Sequence, residues 1–199
     1  HWASAGDPRA FGSFVEVARD HREAFRWFQA LSALGRAEAV ASDDPQCAQV
    51  WTAQGEIHEE QGEGQRSLRC FEAALKALAR AQVAEDALSI QRARLGALSA
   101  HRVLGQLDEA ERTISTLSRQ LDGERARVAM PVASARLDYL RGSIAFSRGR
   151  LDLCGRFHAS ALTTLEAVEA ATESGEAGEG WTGHRVYAQA LSGMGDALY

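Results

Sequence analysis

The residues here that could do chemistry are six histidines, three cysteines and a cluster of glycines near residue 178. His58 and His101 stand at matching points, each four residues before a glycine, with Glu59 and Glu60 beside the first. Brought together, such a pair could hold a metal ion or respond to pH. The plainer alternative is two rings packed between helices, with the glutamates on a solvated face. Gly175, Gly178 and Gly180 have no lysine after them, so they make no phosphate cradle. HExxH, GxSxG and kinase signatures are missing as well. Cys47, Cys70 and Cys154 are odd in number and lack CxxC spacing, which reads as reduced thiols in a cytoplasmic protein. The expectation is a chain with no catalytic residues, no metal and no cofactor.

The elements that carry these residues recur. Trp51, Gln54, Gly55 and His58 are followed by a turn at Gly62, then by Ser67, Phe71 and Ala74. The same small-bulky-small skeleton returns after 43 or 44 residues, as Gly105, Ala110, Ile114 and Leu117, and as Gly149, Cys154, His158 and Ala161. An earlier copy is assigned to Asp20, Ala24, Phe28 and Leu31, and a last one begins at Trp181 and breaks off after Gly195. A period of this length predicts stacked helical hairpins. Apolar residues at spacings of three and four, as in Leu68, Phe71, Leu75 and Leu78, place one buried face on each helix.

Punctuation agrees with that plan. Asp7-Pro8 and Asp44-Pro45 mark helix starts, with an acidic cap before a proline that needs no partner for its missing N–H. Gly62, Gly105 and Gly149 mark turns inside repeats, each followed by a capping residue. Asp122-Gly123 closes a helix and Pro131 starts or kinks the next, while the Gly- and Glu-rich stretch 172–180 reads as a mobile hinge. The net charge of −5, without a basic run, argues against nucleic-acid binding. No apolar run of about 18 residues inserts the chain in a membrane. Lys76 is the only lysine among 22 Lys and Arg residues, which suggests a GC-rich bacterial genome.

The pattern resembles the tetratricopeptide repeat, and is nearest to it over residues 48–81, where Trp51, Gly55, Gly62, Ser67, Phe71 and Ala74 stand in the family's register. Gln54 and His58 replace its usual Leu and Tyr, its closing Pro is missing, and Arg94 and Asp138 fill the Trp slot of other copies. The family's repeat is about 34 residues, so the extra residues must lengthen helices or connections. The resemblance implies an all-α, right-handed superhelix of about four and a half hairpins, with repeats at 5–47, 48–90, 91–134 and 135–180 and a partial one at 181–199. His1-Trp2 and Ala5-Gly6-Asp7 look like the helix that joins the ATPase part of bacterial signal-transducing NTPase regulators to such arrays. The chain is accordingly read as a piece of a longer protein.

In this family the first helix of each pair lines the inner groove. Carried over, the groove residues are Arg9 and Glu16; Thr52, Glu56 and Glu59; Arg92, Leu95, Ser99 and Arg102; Arg136, Tyr139, Ser143 and Phe146; and Arg185 and Gln189. An acidic first third would then give way to arginines around Tyr139 and Phe146, suited to an acidic segment with an apolar anchor. Alternatively, those arginines only solubilise an Ala-rich surface. The chain holds no Asn, so the Asn-bearing carboxylate clamp of some family members is not expected. The function implied is a scaffold that binds a protein or peptide; the alternative is a sensor or regulatory domain acting on other domains of the same polypeptide, such as a signalling ATPase, kinase or protease.

Overall fold

The computed structural model describes residues 8–85 and 87–173, and every regular element among them is a helix. Two compact units divide at Leu104/Gly105. The first contains α1 (Pro8–Glu23), α2 (Trp27–Val40), α3 (Asp44–Glu60), α4 (Gly64–Arg80) and α5 (Leu88–Val103). Here α1 packs on α2, α2 on α3, α3 on α4, and α5 on both α3 and α4. The second contains α6 (Leu107–Leu121), the six-residue α7 (Glu124–Ala129), α8 (Pro131–Ser147) and α9 (Leu151–Glu173), with α8 on α9 and α6 and α7 against α8. This is an all-α helical-repeat fold. None of the described helices is long and apolar enough to cross a membrane.

Left-handed residues reveal the register. Gly62, Gly105 and Gly149 have φ of +74°, +69° and +71°; Phe25 at +56° makes the matching turn between α1 and α2, and Gln82 at +54° closes α4 in the same way before the α4–α5 connection. At Phe25 the Arg26 N–H donates to the His21 carbonyl and the Phe25 N–H to that of Arg22. Around Gly62 the same two bonds run from Glu63 to His58 and from Gly62 to Glu59. Both close the helix by satisfying its last carbonyls. Counting from Phe25 corrects the first copy: its packing slots are Ala30, Leu34 and Ala37, all 1% exposed or less, and not Ala24, Phe28 and Leu31. Phe28 is 82% exposed. The spacing to the second copy is therefore 37 residues, and the sequence hid it because a phenylalanine stands where the other turns have glycine. Removing that ring's left-handed strain, Phe25→Gly should raise stability by about 1 kcal/mol, seen as a higher melting temperature without loss of helicity.

In the other copies the expected slots are buried, except Ile114, which is half-buried. Ser67, Phe71 and Ala74 are fully buried, as are Ala110 and Leu117, and Cys154, His158 and Ala161 are at most 1% exposed. Phe71 lies so close to the neighbouring helices that a Cβ on Gly96 would meet its ring at 2.2 Å and one on Gly55 at 3.0 Å. In the second unit His158 takes the place of Phe71, against Gly142, with its Nδ1 3.5 Å from Cys154 Sγ and its ring stacked on Tyr139. The Ser67 hydroxyl donates to the Gly55 carbonyl at 2.9 Å, which lets α3 and α4 approach without an unpaired buried hydroxyl.

Some caps differ from expectation. Asp43, not Asp44, caps α3 by accepting from the Gln46 N–H at 2.8 Å. Asp44 is the first helical residue and pairs instead with Arg80 on α4, whose guanidinium holds that carboxyl below its ordinary pKa. Glu63 and Gln106, which follow the turn glycines, make no side-chain cap. The residues beyond the 34-residue plan go into the α4–α5 connection and into α7. Helix α9 runs to Glu173, into the start of the stretch read as a hinge; the rest of that stretch and the partial fifth repeat lie outside the described residues.

Candidate binding face

With the register corrected, one row of positions on each leading helix can be compared. On α1 it reads Gly12, Val15, Arg19 and Arg22 in place of Arg9 and Glu16; on α3, Gln49, Thr52, Glu56 and Glu59; on α5, Arg92, Leu95, Ser99 and Arg102; on α8, Arg136, Tyr139, Ser143 and Phe146. The α1 row ends in a cation, the α3 row in carboxylates, and the α5 row is again cationic. Opposite charges thus face one another across adjacent helices.

Glu56 is the hub. Its side chain is 6% exposed and takes the Arg22 Nη1 from α1, while the Arg92 Nε and Nη2 reach it from α5 at 2.5 and 2.7 Å. Arg22 also donates to Glu60 at 3.1 and 2.7 Å, and Ser99 donates to Glu59 at 2.9 Å. Burial opposes the Arg22 charge, but Glu56 and Glu60 more than compensate and push its pKa up; Arg92 is raised by Glu56. Three leading helices are therefore tied by one ion network centred on a buried carboxylate. Glu59 and Glu60 are half-buried partners in it and not a solvated face. The expected acidic first third of a groove is engaged from both sides: Arg22 pairs with Glu56 and Glu60, Arg92 with Glu56, and Ser99 donates to Glu59.

Several residues expected to face a ligand are consumed by packing. Leu95 is 1% exposed, Ser99 2% and Thr52 7%, so none can offer its side chain to a partner. Arg102 is half-buried, and its Nε is enclosed without a hydrogen-bond partner. Tyr139 is half-buried on His158, Arg136 is half-buried, and Phe146 is exposed. Arg185 and Gln189 lie outside the described residues. Among the described rows, the one on α8 has an aromatic member that reaches solvent.

The histidines share a slot. The Phe25 turn places His21 in the position of His58 and His101, a third member that the false first register concealed. His58 Nδ1 lies 2.7 Å from Glu63 Oε2, so its carboxylate partner comes from the following turn and not from Glu59 or Glu60. All three cysteines are free thiols, with Cys154 fully buried.

The opposite side of α8 carries a second charged cluster. Asp138, in the Trp slot and 1% exposed, accepts from Arg127 on α7 at 3.2 Å, from Arg141 at 2.8 Å and from the Ser160 hydroxyl on α9 at 2.7 Å. Arg141 forks onto Asp122 at 2.8 and 2.6 Å, and burial of this guanidinium is outweighed by Asp122 and Asp138, which raise its pKa. A cleft of about 370 Å³ opens here, walled also by Leu153, Arg156 and Phe157. Sequence reading missed it because α7, which contributes Arg127, is too short to show a helical period.

No family model matches the chain, and no curated protein does. Among solved structures, the crystal structure of BtubC (BKLC) from P. vanneervenii is similar. The likeness has a TM-score of 0.69 at 15% identity and covers 96% of this chain and 74% of that one. At that identity it supports the helical-repeat fold and nothing finer.

Proposed function

We propose that this chain is a non-catalytic protein-interaction module, tetratricopeptide-like, that binds a protein or peptide segment along the α8 row. The supporting observation is Phe146, 45% exposed at the end of a row that also holds Arg136 and Tyr139. An exposed aromatic at one end of the row, with an arginine about 15 Å away along the same helix, can anchor an extended segment, and one with an acidic and an apolar side chain at that separation would match it. The rows on α3 and α5 serve the opposite purpose, binding helices to each other through Glu56. Three free thiols fit a cytoplasmic setting, and a bacterial signalling scaffold is the context in which we place the module.

The test is affinity capture with the whole chain, comparing it with Phe146→Asp and Arg136→Glu. Loss of an interface anchor costs about 2 kcal/mol or more, a roughly thirtyfold weaker complex. Captured partners should fall by that order with far-UV circular dichroism unchanged. Equal capture by all three proteins would remove α8 as the binding row.

A further inference from the structure

Phe25 and Phe28 are the two most exposed aromatic rings among the described residues, at 76% and 82%. Both stand where the other turns inside repeats are bare or polar: Gly62, Gly105 and Gly149 match Phe25, and Gln65, Asp108 and Asp152 match Phe28. Rings so exposed add little to the core. Phe25 holds a left-handed backbone that glycine would adopt without strain, and strain kept at a solvent position is a mark of use outside the fold. The Trp27 ring meets Phe25 edge to face, with centroids 5.5 Å apart at 88°, and braces it at the end of the α1–α2 hairpin. Rings this exposed stand out from the surface, so what receives them must be concave or fluid. Together they present about 300 Å², against the roughly 800 Å² that each side of a stable protein complex buries. The charge around them is not one-sided. Arg22 is engaged with Glu56 and Glu60, and the exposed Arg26 is offset by the exposed Glu23 and Asp20.

We infer that this turn is a lipid-contact tip, by which the protein rests on a zwitterionic bilayer with Phe25 and Phe28 inserted at the boundary of headgroups and acyl chains. Aromatic side chains favour that level, and the apolar groups of interfacial segments enter it by about 5–10 Å, a depth that rings on a turn can reach. Arg26, between the two in sequence, lays its stem on apolar surface and keeps its guanidinium among the phosphates. Asp20 stands about 7 Å back along α1, clear of the acyl chains. Because Glu23 and Asp20 cancel the pull of one arginine toward anionic lipid, apolar insertion drives the association. The contact is peripheral, in keeping with described helices that do not span a membrane.

The experiment is flotation of the full chain with phosphatidylcholine vesicles at millimolar lipid. It compares the parent, Phe28→Gln, the double variant Phe25→Gly/Phe28→Gln, which carries the residues of the α3–α4 turn, and Phe146→Asp. Far-UV circular dichroism checks that each keeps its helicity; if the double variant does not, Phe28→Gln alone decides. The parent should rise with the vesicles, Phe28→Gln at least threefold less and the double variant at least tenfold less. Phe146→Asp should match the parent within twofold, which separates this tip from the α8 row. Added phosphatidylglycerol should not strengthen binding, and added salt should not weaken it. A parent that stays behind with free protein, flotation of Phe28→Gln and the double variant equal to the parent's, or flotation that requires anionic lipid would overturn the inference. A dimer in sedimentation that the double variant abolishes would assign the tip to a second copy and so refute the lipid contact.

Discussion

Gly96→Ala should lower the stability of the first unit by about 2 kcal/mol, although alanine is the better helix former. In an open helix position the exchange stabilises by roughly 1 kcal/mol, and Gly35→Ala, where a Cβ would meet nothing within 4 Å, is expected to do so. At Gly96 the added carbon would sit 2.2 Å from the ring of Phe71, which is fully buried between α3 and α5. Overpacking of that kind costs about 1–3 kcal/mol or more, so the sign reverses. Phe71→Ala should cost about 3–5 kcal/mol by emptying the same site. Because the two residues share one space, Gly96→Ala combined with Phe71→Leu should be less harmful than the sum of the singles. Urea unfolding of the parent, Gly96→Ala, Phe71→Leu, their combination, Phe71→Ala and Gly35→Ala measures this. If Gly96→Ala is as stable as Gly35→Ala, the close approach of α5 to Phe71 is wrong.

The second large effect belongs to Glu56. Its replacement by alanine leaves Arg22 and Arg92 facing a space that no carboxylate fills, and breaking a buried pair costs about 3–5 kcal/mol. The lower end applies, because Arg92 is 53% exposed and water screens it, and Arg22 keeps Glu60. Arg92→Ala should accordingly cost about 1 kcal/mol or less. Since Glu56 raises the pKa of Arg22, the contribution of that guanidinium is fully present below its unfolded value and lost only in strong alkali, so it is constant across neutral pH. Equilibrium unfolding should show a large loss for Glu56→Ala and a small one for Arg92→Ala; equal, small losses would mean that the network does not hold the leading helices together.

The sequence by itself determined the class and most of the periodicity. Apolar spacing, turn glycines and the Ser67, Phe71, Ala74 skeleton are local, and each is enforced by the geometry of one helix or one turn. It misplaced the first copy because the left-handed position can be filled by Phe25, and without glycine there the signal vanished. Which row residues remain available to a partner is not local information. Glu56 looks like a ligand-facing acid until α1 and α5 bring Arg22 and Arg92 onto it, and Leu95 looks available until packing covers it. Asp138 was only an odd occupant of a Trp slot; the approach of α7 and α9 made it the buried centre of a cleft. Spacing along one helix fixes the side on which a residue stands, but burial and charge pairing depend on what arrives from other helices, and that was decided only by the tertiary structure.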